Sequence, residues 1–137
     1  MDNATPSANS TAMVALHRLG THLGDSHLLE RSRDIAKLLG RVAPSAPSGF
    51  GNFLGAMHRL HHTSTEIVIV GDRPDLLDVL RGTWDPQRTI AWGEPVESPL
   101  WANRQSGAAY VCHDYACQLP VTTPEALAGQ LTTTTTN

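Results

Sequence analysis

The sequence lacks several features that would assign it to a class at once. Only two of its 137 residues are cysteines, which is too few for a disulfide-stapled scaffold of this length. No apolar run approaches the roughly 20 residues that span a bilayer. The first residues have neither the basic start nor the apolar stretch of a secretory signal. These absences predict a cytoplasmic protein without a membrane-spanning segment.

An excess of positive charge is also absent. The net charge is −3: residues 1–65 contain six Lys/Arg and four Asp/Glu, and residues 66–137 contain four and nine. Neither part offers the basic face that nucleic acid or anionic lipid requires, so we expect neither as a partner. Apolar residues make up 40% of the chain, and this fraction favours a folded globular protein over a disordered one.

The first part of the chain has the apolar periodicity of amphipathic helices in three segments. The first covers residues 13–23 and ends at Gly24; the second covers 28–42 and is stopped by the prolines that follow. The third covers 50–60. Because the link between the first two is only Gly-Asp-Ser, we expect them to form an antiparallel hairpin.

The pattern changes at Glu66. Residues 67–70 are an unbroken β-branched run closed by Gly71, which is typical of a strand buried on both faces. A helix over about 74–81 and a second strand over 89–92 follow, an order that predicts a βαβ unit.

Two further elements complete the second part of the chain. Residues 108–111 predict a third strand, and a capped helix is expected from Pro124 to Leu131. The predicted fold is therefore mixed α and β, with a helical segment over 1–65, a small βαβ-type module over 66–131 and a disordered, Thr-rich tail over 132–137.

Four local motifs in this order carry a resemblance to a known family. They are Pro6-Ser7-Ala8-Asn9-Ser10 before a helix, Glu66-Ile67-Val68-Ile69-Val70-Gly71, Tyr110-Val111-Cys112, and Ala116-Cys117 followed by Pro120, Thr122 and Pro124. In these motifs and their spacing, the chain resembles the C-terminal end of the spermatogenesis-associated protein family. Members of that family join a thioredoxin-like domain to an (α/α) toroid that is similar to N-acylglucosamine 2-epimerases.

The resemblance implies that the helical segment is part of an incomplete (α/α) toroid. Three helices can supply only a sector of such a wall, so we expect no complete active site in this chain. The implied partner is the remainder of the parent polypeptide, with a carbohydrate as a second. The parent would have a redox- or carbohydrate-linked role.

Ser7, Asn9 and Ser10 are the candidate ligand-binding residues. They lie where a helix start would face the cavity of a toroid, and hydroxyl and amide groups suit sugar hydroxyls. The same residue types are preferred at helix starts, where they accept otherwise unpaired N–H groups. Capping is the simpler interpretation of the three residues.

Cys112 and Cys117 are the candidate redox residues. Four residues separate them, so they could not pair on one extended strand, but a turn through His113, Asp114 and Tyr115 would bring their Cα atoms within the limit of about 7 Å. His113 could also favour a thiolate at Cys112. Because free cysteines are among the most buried residues, we interpret both as buried thiols and keep the redox pair as the alternative.

The remaining candidates favour structural roles. His58, His61 and His62 share the last turn of a helix without any carboxylate nearby, and two cysteines with one histidine fall short of a zinc site, so we expect no metal and no cofactor. Asp72, after the first strand, is interpreted as a turn or cap residue because no phosphate-binding glycine motif accompanies it. The three tryptophans are interpreted as packing anchors.

These observations favour a non-catalytic C-terminal segment of a thioredoxin-domain, epimerase-like protein. Two alternatives stay open. One is a small thiol–disulfide oxidoreductase that uses Cys112 and Cys117, and the other is a sugar- or nucleotide-binding module.

Overall fold

The computed structural model describes residues 1–62 and 65–134. The chain forms two compact units, Met1–Thr63 and Ser64–Asn137. The described residues contain five α-helices and a four-stranded sheet, which confirms the mixed α and β class. No helix in this part of the chain is long and apolar enough to cross a bilayer.

The first unit consists of helices. They are α1 (Ala8–Leu23), α2 (Ser26–Gly40) and α3 (Gly51–His61), with two short 3-10 turns, Ala43–Ser45 and Pro47–Phe50, between α2 and α3. Ser7 caps α1, and Gly24 ends it in the left-handed conformation with φ 65°. The side chain of Asp25 then accepts the N–H groups of His27 and Leu28 at the start of α2.

α1 and α2 form an antiparallel hairpin. Gly20, late in α1, lies against Leu29, early in α2. The hydroxyl of Ser32 donates to the carbonyl oxygen of Met13 at 2.7 Å. Met13 lies about two helix turns before Gly20 in α1. The absence of a side chain at Gly20 allows this close approach, because a Cβ atom there would lie 2.9 Å from the Leu29 side chain.

The second unit is a sheet with helices. Its elements are β1 (Thr65–Val70), α4 (Pro74–Arg81), β2 (Arg88–Gly93), β3 (Ala109–His113), β4 (Ala116–Cys117) and α5 (Pro124–Thr134). The strand order is β2-β1-β3-β4. β1 is parallel to β2, to which α4 connects it along the chain, and antiparallel to β3. β3 and β4 are also antiparallel.

The central strand β1 is buried on both faces. Ile67 and Ile69 pack in a cluster with residues of α4 and α5. Val68 and Val70 point to the other face, which is filled by residues of the loop after β2 and of β3, including Trp101 and Tyr110. The burial of alternate residues on two faces explains the continuous apolar run in the sequence.

Two predictions need correction. The predicted tail over 132–137 begins too early, because α5 continues through Thr134, with the Thr132 hydroxyl donating to the carbonyl oxygen of Gly129; residues 135–137 lie outside the described part. Trp101 is a packing anchor, but Trp84 is 91% exposed and Trp92 46% exposed. Trp84 lies in the link before β2, and Trp92 is on that edge strand, where less of the sheet face is covered.

Candidate functional site

The two cysteines lie opposite each other on a tight hairpin. Cys112 of β3 pairs with Cys117 of β4, and His113 pairs with Ala116. Asp114 and Tyr115 form the turn, with φ of 48° and 66°. Positive φ at both central positions is characteristic of the type I′ turn, whose twist matches that of the flanking strands. The turn anticipated from the sequence is therefore present.

Cys112 and Cys117 form a disulfide. Their Cα atoms are 3.8 Å apart and the sulfur atoms 2.02 Å apart. The described residues contain no free cysteine. This corrects our interpretation of both residues as buried thiols, because the hairpin register places the two side chains on the same face of the sheet. Cys112 is fully buried, whereas Cys117 is half-buried.

A guanidinium group lies against the disulfide. Nη2 of Arg104 is 2.9 Å from Sγ of Cys117 and 3.6 Å from Sγ of Cys112. Nε of Arg104 donates to the carbonyl oxygen of Leu100 at 3.0 Å, and its Cζ atom is 4.4 Å from the ring centroid of Tyr110. The hydrogen bond and the cation–π contact together fix the position of the charge.

A buried carboxyl group lies beside the same cysteine pair. Glu66 of β1 is directly opposite Cys112 of β3, so both side chains are on one face of the sheet. Glu66 is 1% exposed, and its Oε2 accepts the N–H of Tyr115 at 3.2 Å. Its Oε1 has no hydrogen-bond partner among the residues that the structure describes. A buried carboxyl group that is only partly hydrogen-bonded is costly, so it requires an explanation.

The phenol of Tyr115, in the hairpin turn, is affected by the charge of Glu66. Burial raises the pKa of Tyr115, and the nearby carboxyl groups of Glu66 and Asp114 raise it further. The turn therefore holds a neutral phenol beside the acidic group.

Sequence reasoning missed both Arg104 and Glu66. Glu66 is the one charged residue of β1 and directly precedes its apolar run, and that position was a usable signal for a buried functional group. Arg104 had no such signal, because its approach to the sulfur atoms depends on the path of the loop between β2 and β3.

The structure places Ser7 and Ser10 in the cap of α1. The hydroxyl of Ser7 accepts the N–H of Ser10 at 3.2 Å, and the two hydroxyl oxygens are 2.8 Å apart. Ser10 is fully buried, whereas Asn9 is exposed. The capping interpretation accounts for the contacts of the two serines, and a ligand-binding role for the three residues stays a prediction.

Asp2 organises this cap and was also missed. Its two carboxyl oxygens accept the N–H of Ser7 and the N–H of Phe53, each at 2.8 Å, so it joins the starts of α1 and α3. Burial raises the pKa of Asp2, but these two N–H groups and the hydroxyls of Ser10 and Ser7 outweigh that effect and hold the pKa well below its ordinary value. An open, largely apolar groove lies nearby. It is lined by Pro6, Thr11, Val14, Ala15, Arg18 and Asn52.

The other candidates make structural contacts. The rings of His58 and His62 are in contact, with centroids 4.0 Å apart and planes inclined by 34°. No group of three or more metal-binding side chains occurs among residues 1–62 and 65–134. After β1, the guanidinium of Arg73 forms hydrogen bonds with Asp75, with the carbonyl oxygen of Gly107 and with that of Thr122. It thus ties together the segments at this end of the sheet.

Comparison with known proteins gives one informative similarity. The chain is 26% identical to human spermatogenesis-associated protein 20 over 139 aligned residues, which cover 90% of this chain. The chain spans 18% of the length of that relative. No protein-family model and no solved structure matches the chain. The similarity supports a distant relationship to the spermatogenesis-associated family.

Proposed function

We propose that this chain is the C-terminal segment of a larger thioredoxin-domain, epimerase-like protein and is not catalytic alone. The supporting observation is that 90% of the chain matches only 18% of the human relative. By analogy with the family that the sequence resembles, the first unit is a sector of an (α/α) toroid. The parent then has a redox- or carbohydrate-linked role.

Exposed apolar side chains in the first unit support a missing neighbour. Leu19, Leu38, Val42 and Leu54 are each 48–59% exposed. Single exposed apolar residues are ordinary, but several on one small helical unit are what a toroid sector would present to adjacent hairpins. The proposed partner of these side chains is the remainder of the parent polypeptide.

Adjacent leucines in α2 provide a matched test of this proposal. Leu38 is 59% exposed and Leu39 is 8% exposed. We expect Leu38→Glu to reduce the binding of an apolar fluorescent dye to the chain and to change stability by less than about 0.5 kcal/mol. Leu39→Glu should unfold the first unit because it buries an unpaired charge. A monomeric wild-type chain that binds no dye would contradict the proposal.

We propose thiol–disulfide exchange at Cys112 and Cys117 as a second function. The observation that favours it is the disulfide itself, whose half-buried sulfur, Sγ of Cys117, lies beside the guanidinium of Arg104. A reactive cysteine needs an accessible, electropositive environment, and Cys117 has both features.

Reversible reduction of the native chain tests the second function. Incubation in buffers of reduced and oxidised glutathione, followed by acid quenching and mass spectrometry, should show a reversible gain in mass of two hydrogen atoms when the disulfide is reduced. A disulfide that is reduced only after denaturant is added would exclude the function.

A further inference from the structure

We infer that the cysteine pair works asymmetrically: Cys117 exchanges with an external disulfide while Arg104 stabilises its thiolate, and Glu66 accepts the proton of Cys112. The inference rests on the proposed thiol–disulfide function, and it names the residues that would carry each step. It is independent of any toroid.

Exposure distinguishes the two sulfur atoms. Cys112 is 0% exposed and lies within the apolar cluster on one face of the sheet. Cys117 is half-buried on the short strand β4, which is the last strand in the order of the described sheet and pairs with β3. A thiolate or disulfide from solution can therefore reach Cys117, whereas Cys112 is protected by the residues packed over it.

The position of Arg104 favours a thiolate at the same residue. Its Nη2 atom is nearer to Sγ of Cys117 than to Sγ of Cys112, at 2.9 Å against 3.6 Å. The guanidinium is already held by Leu100 and Tyr110, so little further ordering is needed when the sulfur becomes charged. A fixed positive charge at this distance favours the ionised form of a thiol.

The buried cysteine needs a proton acceptor of its own. Cys112 must lose its proton to become a nucleophile, and water has little access to a residue at 0% exposure. Glu66 is directly opposite Cys112 and has one oxygen without a hydrogen-bond partner in the described part of the chain. An ionised carboxylate is an acceptor, and directly opposite residues have Cβ atoms about 4.5–5.5 Å apart.

The oxidation then proceeds in two balanced steps, with a low-molecular-weight disulfide as the oxidant. The thiolate of Cys117 attacks one sulfur of that disulfide, forming a mixed disulfide and releasing one thiolate. Cys112 gives its proton to Glu66 and attacks Sγ of Cys117, which forms the Cys112–Cys117 bond and expels the second thiolate. Two protein thiols are oxidised, one external disulfide is reduced to two thiols, and the proton on Glu66 is later lost to solvent.

The structural alternative for Glu66 is that it only holds the hairpin turn through the N–H of Tyr115. A glutamine at this position retains an oxygen for that hydrogen bond but cannot accept a proton from a thiol. The variant Glu66→Gln therefore separates the two roles, because a structural role changes stability and a proton-accepting role changes one kinetic step.

The experiment follows the reduced 137-residue chain after it is mixed with glutathione disulfide. Mass spectrometry of acid-quenched samples resolves the mixed disulfide from the closed disulfide. In Glu66→Gln we expect the mixed disulfide to form at the wild-type rate and its closure to slow by at least about tenfold. Closure at the wild-type rate in a folded Glu66→Gln chain would overturn the role of Glu66.

Alkylation by iodoacetamide tests Arg104. In a Cys112→Ser background, Arg104→Gln should raise the pH of half-maximal alkylation of Cys117 by about one unit or more, and Arg104→Lys should restore part of the difference. Arg81→Gln, at an exposed arginine of α4, is the control and should leave that pH unchanged. An unchanged pH in Arg104→Gln would overturn the role of Arg104.

Single-cysteine variants test the asymmetry even if Glu66→Gln does not fold. Cys112→Ser should accumulate the mixed disulfide at Cys117, and Cys117→Ser should form it at Cys112 at least about tenfold more slowly. Equal rates would overturn the assignment of Cys117 as the exchanging residue. If the wild-type pair does not exchange at all, the proposed function fails, and this outcome is distinct from exchange that ignores Glu66 and Arg104.

Discussion

The helical unit and the sheet unit differ in how completely they bury their large side chains. Among the described residues, the first unit has two large side chains that are fully buried, those of Phe53 and Met13, whereas the second unit has ten, including five consecutive residues of β1, Glu66–Val70. A sheet covered on both faces buries every residue of its central strand, but a hairpin with one further helix covers only one stripe of each helix.

Polar contacts compensate for part of this difference in the first unit. Asp2, Ser10, Thr21 and Ser32 are buried there, and hydrogen bonds of Asp2, Ser10 and Ser32 connect parts of the unit that are distant in sequence or cap its helices. The sheet unit is therefore held mainly by apolar packing, whereas the helical unit depends more on a few specific hydrogen bonds. Substitutions in each unit test this contrast.

The largest expected effect is in the core of the sheet unit. Ile69 is 0% exposed and packs between the sheet and its helices. We expect Ile69→Ala to reduce the free energy of unfolding by about 2–5 kcal/mol, because it removes buried methylene groups and leaves a cavity. Denaturant unfolding followed by circular dichroism measures the loss.

Ile90 is the control for this substitution. It lies on the edge strand β2, at the position paired with Ile67 of β1, and is 38% exposed. Ile90→Ala should cost much less than Ile69→Ala, because solvent replaces part of the lost contact. Equal losses at the two positions would refute the contrast between the central and edge strands.

The second effect concerns acid and the carboxyl group of Asp2. The pKa of Asp2 in the folded chain is below its ordinary value of 3.8, so the unfolded chain binds more protons in acid. The carboxylate of Asp2 therefore contributes its full stabilisation when the pH is well above the pKa of Asp2 in the unfolded chain. This stabilisation begins to be lost as the pH falls below about 5 and continues to be lost down to the pKa in the folded chain. We expect Asp2→Asn to cost about 1.5–3 kcal/mol at pH 7 and less as the pH falls.

Unfolding by urea at pH 7 and at successively lower pH measures this linkage. Asp34→Asn is the control, since Asp34 is exposed and forms an ion pair with Lys37 on the helix surface. It should change stability by less than about 0.5 kcal/mol at each pH. A cost at Asp2 that does not vary with pH would show that its charge has no part in the cap.

In both units the sequence predicted the elements that depend on local signals. The ends of α1 and the apolar strand β1 followed from local signals: Ser7 and Gly24 at the helix ends and the β-branched run of residues 67–70. Periodicity and turn chemistry act over a few residues, so a single sequence contains them. The mixed class was predicted for the same reason.

The candidate site depended on long-range pairing that local signals do not encode. The hairpin was predicted as one option, but the proximity of Glu66 to Cys112 required the antiparallel register of β1 and β3, and that of Arg104 to Cys117 required a loop path. The contacts of Asp2 with Phe53 span 51 positions. Such contacts are set by the fold as a whole.

A smaller effect is expected at the close approach of α1 and α2. A Cβ atom at Gly20 would lie 2.9 Å from the Leu29 side chain and 3.0 Å from its backbone nitrogen, so the helices must separate. We expect Gly20→Ala to be destabilising by about 1–2 kcal/mol, because overpacking exceeds the gain in helix propensity.

Gly55 of α3 provides the matched control, because a Cβ atom there would meet nothing within 4 Å. Gly55→Ala should stabilise the chain by about 0.5–1 kcal/mol, since alanine loses less entropy in a helix. Thermal unfolding of both variants gives opposite signs if the α1–α2 contact is as close as described. Stabilisation by both alanines would refute the close approach.

The smallest effect is expected at Trp84. Its side chain is 91% exposed, so it contributes little packing to the sheet unit despite its size. We expect Trp84→Ala to change the free energy of unfolding by less than about 0.5 kcal/mol, whereas Trp101→Ala, at a position 8% exposed, should cost about 3–5 kcal/mol. The wavelength of maximum tryptophan emission in each variant reports how exposed the remaining tryptophan rings are to solvent. A large loss at Trp84 would mean that this residue is packed and would restore it to the anchors of the second unit.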